Sequence, residues 1–134
     1  MKIATIIMAL FFFGTPAKKS GNALTNTHWS FVKLIIGETI QEVDTTCGTT
    51  LNFDKNGEFN GFSGWNNFHG KYTVASKGKL TMDNPMRTKK AGVKDCKLGE
   101  KLFDLYPKIE SYTIKSDSLY LCTADCVQMV FVRR

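Results

Sequence analysis

Turn sequences placed at short intervals between apolar segments constrain this chain more than any other feature. The clearest turn runs from Asp54 to Gly57, where Asn-Gly joins residues 50–53 to residues 58–62. An Asn-Gly pair between alternating apolar segments is a strong hairpin signal. Short antiparallel strands in sequence are typical of a barrel or sandwich, and consecutive hairpins favour an up-and-down barrel. The other predicted strands cover residues 29–36, 39–43, 68–74, 79–82, 112–114, 118–122 and 127–132.

One segment has helical periodicity instead. Apolar residues recur at Leu98, Leu102 and Leu105, and Pro107 cannot continue a helix. We therefore predict one short helix over about residues 97–106, which would cover an open end of the barrel. The preceding stretch, residues 83–97, is predicted to be a loop rich in Lys and Arg.

The first residues have the layout of a secretory signal peptide. Lys2 precedes residues 3–13, which are apolar apart from Thr5, and small residues follow from Gly14. The apolar run is shorter than the ~20 residues that a membrane span needs. We predict a signal peptide over residues 1–23, cleaved after Ala17 or Ala23, and a single domain over residues 24–134. The alternatives are a retained anchor and a buried N-terminal helix.

The charge and the cysteines suit an exported protein. The net charge of +6 falls after cleavage, and this mild basicity does not point to nucleic acid. Four cysteines in a short exported chain suggest two disulfides. Facing residues of a hairpin lie close enough to predict Cys122–Cys126, and Cys47–Cys96 follows by elimination. The alternative pairs Cys96 with Cys122 or Cys126.

Candidate catalytic and metal-binding residues are few. The two histidines are His28 and His69, and no motif places either beside a nucleophile such as Ser63. Cys122 and Cys126 form one close pair, whereas a structural zinc site needs two such pairs. We therefore predict no catalytic site, no metal site and no cofactor.

A glycine-rich and aromatic motif occupies residues 61–72. Its main residues are Gly64, Trp65, Asn66, Phe68, Gly70 and Tyr72. The motif resembles that of the META/HslJ family of bacterial envelope proteins, and so do features placed in the same order along residues 29–134. They are Trp29, the strand and turn over residues 51–57, the segment 86–88, the helix over residues 100–105 and the closing strands.

The resemblance implies a mostly-β envelope domain with a stress-related role, but it names no ligand. We interpret the motif as a feature of the fold and not as an active site, because Gly and Asn permit turns and Tyr72 can bury its ring. The family usually has a cysteine where this chain has Trp65. A disulfide from that position is therefore impossible here, and Cys47 is a candidate replacement partner.

Two surface features are candidates for partner binding. Basic residues crowd into one stretch, where they could contact anionic lipid or an acidic protein, and Trp65 lies in a turn. The alternatives are a solvated loop and a Trp65 that only caps the barrel. The candidate binding residues are Trp65, Arg87, Lys89, Lys90 and Lys94.

These features favour a non-enzymatic exported envelope domain that acts by binding a protein or ligand. A second hypothesis is a secreted peptidase inhibitor that presents a disulfide-pinned loop at residues 63–67 or 83–96. A third is a carrier of lipid or another small apolar ligand inside the barrel.

Overall fold

A computed structural model of the protein describes residues 23–92 and 96–134. This part of the chain forms ten strands, one α-helix and three short 3-10 turns. The strands are β1 (Thr27–Ile36), β2 (Thr39–Glu42), β3 (Thr50–Phe53), β4 (Glu58–Phe62), β5 (Asn67–Ala75), β6 (Lys79–Met82), β7 (Met86–Arg87), β8 (Ile109–Lys115), β9 (Ser118–Thr123) and β10 (Val127–Arg133). Helix α1 is Leu98–Leu105, and the 3-10 turns are Thr45–Cys47, Ser76–Gly78 and Tyr106–Lys108.

Eight of these strands form a closed antiparallel barrel, as the sequence predicts. The strands pair in the order β1-β3-β4-β5-β6-β8-β9-β10, and β10 returns to β1 along the register from Trp29↔Arg133 to Ile36↔Val127. The remaining two strands extend the sheet outside the ring: β2 pairs with the second half of β1, and β7 pairs with the start of β5. Closure leaves few unpaired edges, which suits a short all-β chain.

The interior of the barrel is filled by large side chains. Strands alternate inward and outward residues, as in the buried Leu51 and Phe53 of β3. Helix α1 and the turn after it add Phe103 and Tyr106, whose rings contact Phe68 with centroids 5.2 and 5.5 Å apart. The largest fully buried side chains are Trp29, Tyr106, Phe53, Phe59, Phe131 and several leucines.

Most predicted elements lie where the sequence places them, with one addition. The strands predicted over residues 50–53, 58–62 and 79–82 have the predicted bounds, and the helix begins at Leu98. Strand β7 lies inside the predicted loop over residues 83–97. It has only two residues, both exposed, so no alternation marks it, and it exists because it pairs with β5.

One disulfide joins Cys47 to Cys96, with their Cα atoms 5.4 Å apart. It ties the 3-10 turn after β2 to the start of helix α1 across a sequence separation of 49 residues. The predicted bond between Cys122 and Cys126 is absent, since both cysteines are free thiols. The reason is the register: Cys122 faces Gln128 across the hairpin, and Cys126 lies in the turn itself with φ 67°.

Two predictions concern residues outside the described part of the chain. The predicted signal peptide covers residues 1–23, of which the structure describes only Ala23, and Lys94 lies between the described residues 92 and 96. Leu24 is fully buried, so the packed domain includes residues directly after the second predicted cleavage site. Within residues 23–92 and 96–134, helices of the length and apolarity that a membrane crossing requires do not occur.

Candidate functional site

The loop between β4 and β5, residues 63–66, is held by hydrogen bonds from buried polar groups. We call it the motif loop. Ser63 is 2% exposed, and its Oγ accepts the amides of Trp65 and Asn66 at 3.0 and 2.9 Å. The same hydroxyl donates to the Glu100 carboxylate on helix α1. The backbone closes the turn, because the Ser63 amide donates to the Asn66 carbonyl at 2.8 Å.

Asn66 connects the motif loop to two distant segments. Its side chain is almost fully buried, at 3% exposure. Oδ1 accepts from Thr88 Oγ1 at 2.8 Å and from the Lys90 amide at 2.7 Å. Nδ2 donates to the Lys90 carbonyl and to Glu100 Oε2, each at 3.1 Å. One amide side chain thus satisfies four bonds and fixes the segment after β7 against both the loop and the helix.

Glu100 completes this polar network and neutralises a basic residue within it. Its other carboxylate oxygen, Oε1, lies 3.6 Å from Arg87 NH1. The Arg87 guanidinium also stacks on the Phe103 ring, 4.4 Å from its centroid. Arg87, which the sequence suggests as a partner-binding residue, therefore has two partners within the fold and helps to hold β7 on the helix.

Helix α1 approaches the motif loop so closely that only glycine fits at the contact. A Cβ added to Gly99 would lie 1.7 Å from the Ser63 carbonyl oxygen. Thr49 Oγ1 donates a hydrogen bond to the same carbonyl oxygen at 2.9 Å. The loop, the helix and the segment before β3 are therefore packed into one unit at this end of the barrel.

Trp65 packs against the segment after β7. A Cβ on Gly92 would lie 2.2 Å from Trp65 Cδ1, so the indole rests directly on that backbone. The ring is half-buried, which leaves part of it at the surface. Lys89 and Lys90 are exposed on the same segment, and Lys97 and Lys101 are exposed at the start of helix α1. The structure thus brings Trp65, Arg87, Lys89 and Lys90 to one end.

The other motif residues lie in the core or beside the disulfide. Phe68 stacks edge-on with Phe59, Phe103 and Tyr106, and Gly70 lies against the Phe59 ring. Tyr72 donates its hydroxyl to the Asp54 carbonyl at 2.6 Å, and burial raises its pKa. Gly64 lies against Cys96. Each of these residues supports packing, turns or strand contacts.

The structure does not assemble the catalytic partners considered from the sequence. Ser63 Oγ is bonded to Glu100 and two backbone amides, while His69 lies on the outer face of β5 opposite Asn60. Within the described residues, clusters of three or more His, Cys, Asp or Glu side chains suited to a metal ion are absent.

A comparison with protein families matches the META domain over residues 22–134. The chain belongs to the META domain family. The match covers nearly the whole predicted mature chain and agrees with the resemblance carried by residues 61–72. A search of curated proteins finds no relative.

Solved structures share the fold of this META domain at low sequence identity. An NMR structure of a protein from Burkholderia xenovorans has 18% identity and a TM-score of 0.71, with 90% of this chain and 94% of that chain covered. A crystal structure of a DUF4847 family protein from Bacteroides vulgatus ATCC 8482 has 13% identity and a TM-score of 0.60, with 84% and 96% covered. A further NMR structure has 16% identity and a TM-score of 0.63, with 84% and 92% covered.

This META domain departs from the family pattern at Trp65, where a cysteine is usual. The indole occupies the space over Gly92, and the disulfide lies one residue away, since Cys96 contacts Gly64 and bonds to Cys47. The surroundings of the motif loop are therefore cross-linked by the Cys47–Cys96 bond. Thr88 and Glu100 lie in the segments 86–88 and 100–105 that carry the resemblance, but the sequence does not show their bonds to the motif loop, because their partners lie 22 to 37 residues away.

Proposed function

We propose that this chain is an exported, non-enzymatic binding domain of the cell envelope that contacts an acidic protein partner through one end of its barrel. That end, here called the basic end, consists of the motif loop, residues 87–92 and the start of helix α1. The observation that carries the proposal is the combination of a half-buried Trp65 and exposed lysines on backbone that partly buried hydrogen bonds hold in place.

Rigidity is the first support for the proposal. The Lys90 backbone donates to and accepts from Asn66, so its peptide groups are fixed while its side chain stays in solvent. The disulfide fastens the far end of the same stretch at Cys96. A surface that is already ordered loses little conformational entropy on binding, so more of the contact energy becomes affinity.

Charge is the second support. Lys89, Lys90, Lys97 and Lys101 are exposed at the basic end. The nearby Glu100 carboxylate is occupied by Arg87, Ser63 and Asn66, so it does not compensate these lysines. A surface with several exposed lysines attracts acidic partners and speeds their association.

Export rests on the N-terminal sequence and on the disulfide. Disulfides persist in oxidising compartments and are rare in the cytosol. The apolar run over residues 3–13 and the Cys47–Cys96 bond point in the same direction.

A peptidase inhibitor is the second candidate, favoured by the anchoring of residues 83–96. This stretch is held by β7, by the Asn66–Lys90 pair and by Cys96, and it carries the exposed Lys89 and Lys90. A protease with a pocket for basic side chains is the target that such a loop would fit. The carrier hypothesis needs an open interior, whereas large side chains occupy the barrel, so we place binding on the outer surface.

Affinity capture tests the proposal. Oxidised protein, residues 24–134, is immobilised and exposed to envelope and secreted extract from its source. A charge-reversed variant, K89E/K90E, is compared with K55E/K77E, which makes the same charge change in turns at the opposite end. Neither pair of side chains takes part in the Asn66 network, because Lys90 uses only its backbone.

Saturable capture of one acidic protein that K89E/K90E abolishes and K55E/K77E retains is the expected result. Capture of a protease, with inhibition lost in K89E/K90E, would favour the second candidate. Stoichiometric lipid would indicate a carrier or a membrane-surface protein. Capture that both variants retain equally would contradict binding at the basic end.

A further inference from the structure

A row of outward-facing polar side chains crosses strands β1, β3, β4 and β5 of the barrel. The register pairs His28 with Asn52, Asn52 with Asn60, and Asn60 with His69. Strand β7 then places Met86 directly opposite His69. Both histidines of the chain therefore lie in one row, but only His69 is paired with a methionine.

The two histidines differ in how their rings are engaged. His28 Nδ1 lies 3.0 Å from Asn52 Oδ1, which also accepts from Arg134 at 2.7 Å. The His69 ring has no hydrogen-bond or ion-pair partner within residues 23–92 and 96–134, and it is exposed. Met86 is 68% exposed, more than the other exposed large apolar side chains of the described residues. An unengaged imidazole thus faces an unengaged thioether.

The backbone around this pair is fixed by the network of the motif loop. The residues that follow Met86 are Arg87, which pairs with Glu100, and Thr88, which donates to Asn66. Directly opposed residues of antiparallel strands have Cβ atoms about 4.5–5.5 Å apart, on the same face of the sheet. An open groove of about 300 Å³ adjoins the pair and is also lined by Asn67 and Phe68.

We propose that His69 and Met86 form a binding site for a soft monovalent cation, Cu(I) or Ag(I). Thioether sulfur selects soft cations such as Cu(I), and imidazole nitrogen is also a good ligand for copper. A neutral imidazole and a thioether coordinate through lone pairs without losing a proton, and cations of this kind are stable with two ligands. The proposal concerns binding alone, with no change of oxidation state.

Silver provides a redox-silent probe, but free thiols compete for it. Cys122 and Cys126 are free, so the test uses a C122S/C126S background with the Cys47–Cys96 bond intact. Methionine methyl groups labelled with ¹³C report each site separately by NMR during titration with Ag(I). The methyl groups of Met82 and Met129 are internal controls, because these side chains are 2% and 0% exposed.

The expected result is a saturable shift of the Met86 methyl resonance at one equivalent of Ag(I), with Met82 and Met129 unmoved. H69N should weaken binding by at least about tenfold, since it removes a ligand, and M86L, which lacks the reporting methyl group, should show the same loss by calorimetric titration with Ag(I). H28N is the matched control and should bind like the background. Both test residues are exposed, and the methyl spectrum of the core checks that each variant is folded. Binding that H69N leaves unchanged, or saturation only at millimolar Ag(I), would overturn the proposal.

Discussion

Asn66 carries more of the architecture of the basic end than any other single residue described here. The sequence predicts it as a turn residue, because asparagine bonds local backbone and tolerates unusual turn geometry. Its partners at Thr88, Lys90 and Glu100 lie 22 to 34 residues away, and local sequence rules do not reach that far. The sequence therefore predicts that Asn66 lies in a turn, but it does not predict which hydrogen bonds its side chain makes.

Replacing Asn66 by alanine should be costly. The change removes a side chain that is 3% exposed and leaves the Lys90 amide and carbonyl without their partner, at a cost of about 2–3 kcal/mol in the free energy of unfolding. Asn60→Ala is the matched control, since Asn60 is exposed and should change stability by less than about 0.5 kcal/mol. Denaturant unfolding of both variants measures the difference. Equal stabilities would show that the network contributes nothing.

Removing the buried hydroxyl of Tyr106 should have a different effect on stability. Its hydroxyl is buried, has no hydrogen-bond partner within the described residues, and has a pKa raised by burial. Tyr106→Phe removes an unsatisfied polar group, so it should leave stability unchanged or raise it by up to about 1 kcal/mol. Tyr72→Phe should lower stability by about 1 kcal/mol, because it removes the bond to the Asp54 carbonyl. Thermal unfolding compares the two, and a loss at Tyr106 as large as that at Tyr72 would contradict this reading.

The same burial sets the response to alkali. The folded pKa of Tyr106 lies above the unfolded value of about 10, so the folded state favours the neutral phenol. Below pH 10 the phenol is neutral in both the folded and the unfolded state, so the difference in pKa costs no stability. Above pH 10 the phenol of the unfolded state ionises, and the folded state loses stability relative to it. Stability should therefore fall above about pH 10, and Tyr106→Phe should fall less steeply. Identical alkaline profiles for the two proteins would contradict the assignment.

At the scale of elements, strands were easier to predict than the contacts between them. Hairpins such as β3-β4 follow from Asn-Gly and alternation, which are local signals. Strand β7 has no such signal, and the Cys122–Cys126 prediction failed because the register places Gln128 opposite Cys122. The spacing of apolar residues predicts helix α1, but the contact between Gly99 of this helix and the Ser63 carbonyl depends on tertiary packing.

A substitution at Gly99 tests how closely helix α1 packs against the motif loop. Alanine is the better helix former by about 1 kcal/mol, yet its Cβ would overlap the Ser63 carbonyl oxygen. We expect Gly99→Ala to destabilise the protein by about 2 kcal/mol or more, because backbone must shift to admit the methyl group. Lys101→Ala, at an exposed position of the same helix, should be within about 0.5 kcal/mol of wild type. A stabilising Gly99→Ala would show that the helix packs loosely.

At the scale of the whole molecule, the fold is a filled barrel with one reinforced end. The disulfide and the Asn66 network act on the same region, one by covalent linkage and the other by hydrogen bonds. The fold class was predictable because most of its strands are local hairpins. The reinforced end was not, because it depends on contacts that form only after the barrel closes.

Removing the disulfide should lower stability more than removing the free thiols. A bond that closes a loop with a sequence separation of 49 residues restricts the unfolded chain, which is worth about 2–4 kcal/mol. We expect C47A/C96A to lose that amount and C122S/C126S to lose less than about 1 kcal/mol, since neither free thiol is in the core. Denaturant unfolding of the oxidised proteins measures both. A larger loss of stability in C122S/C126S than in C47A/C96A would contradict this, because it would show that the free thiols stabilise the fold more than the disulfide does.

Amide hydrogen exchange measures whether the motif loop and the segment after β7 form one rigid surface. The amides of Trp65, Asn66 and Lys90 donate to buried side-chain oxygens, whereas those of Lys89 and Ala91 have no acceptor within the described residues. We predict that the first three amides exchange as slowly as those of the core strands, and that Lys89 and Ala91 exchange fast. Fast exchange at all five amides would contradict a preorganised binding end.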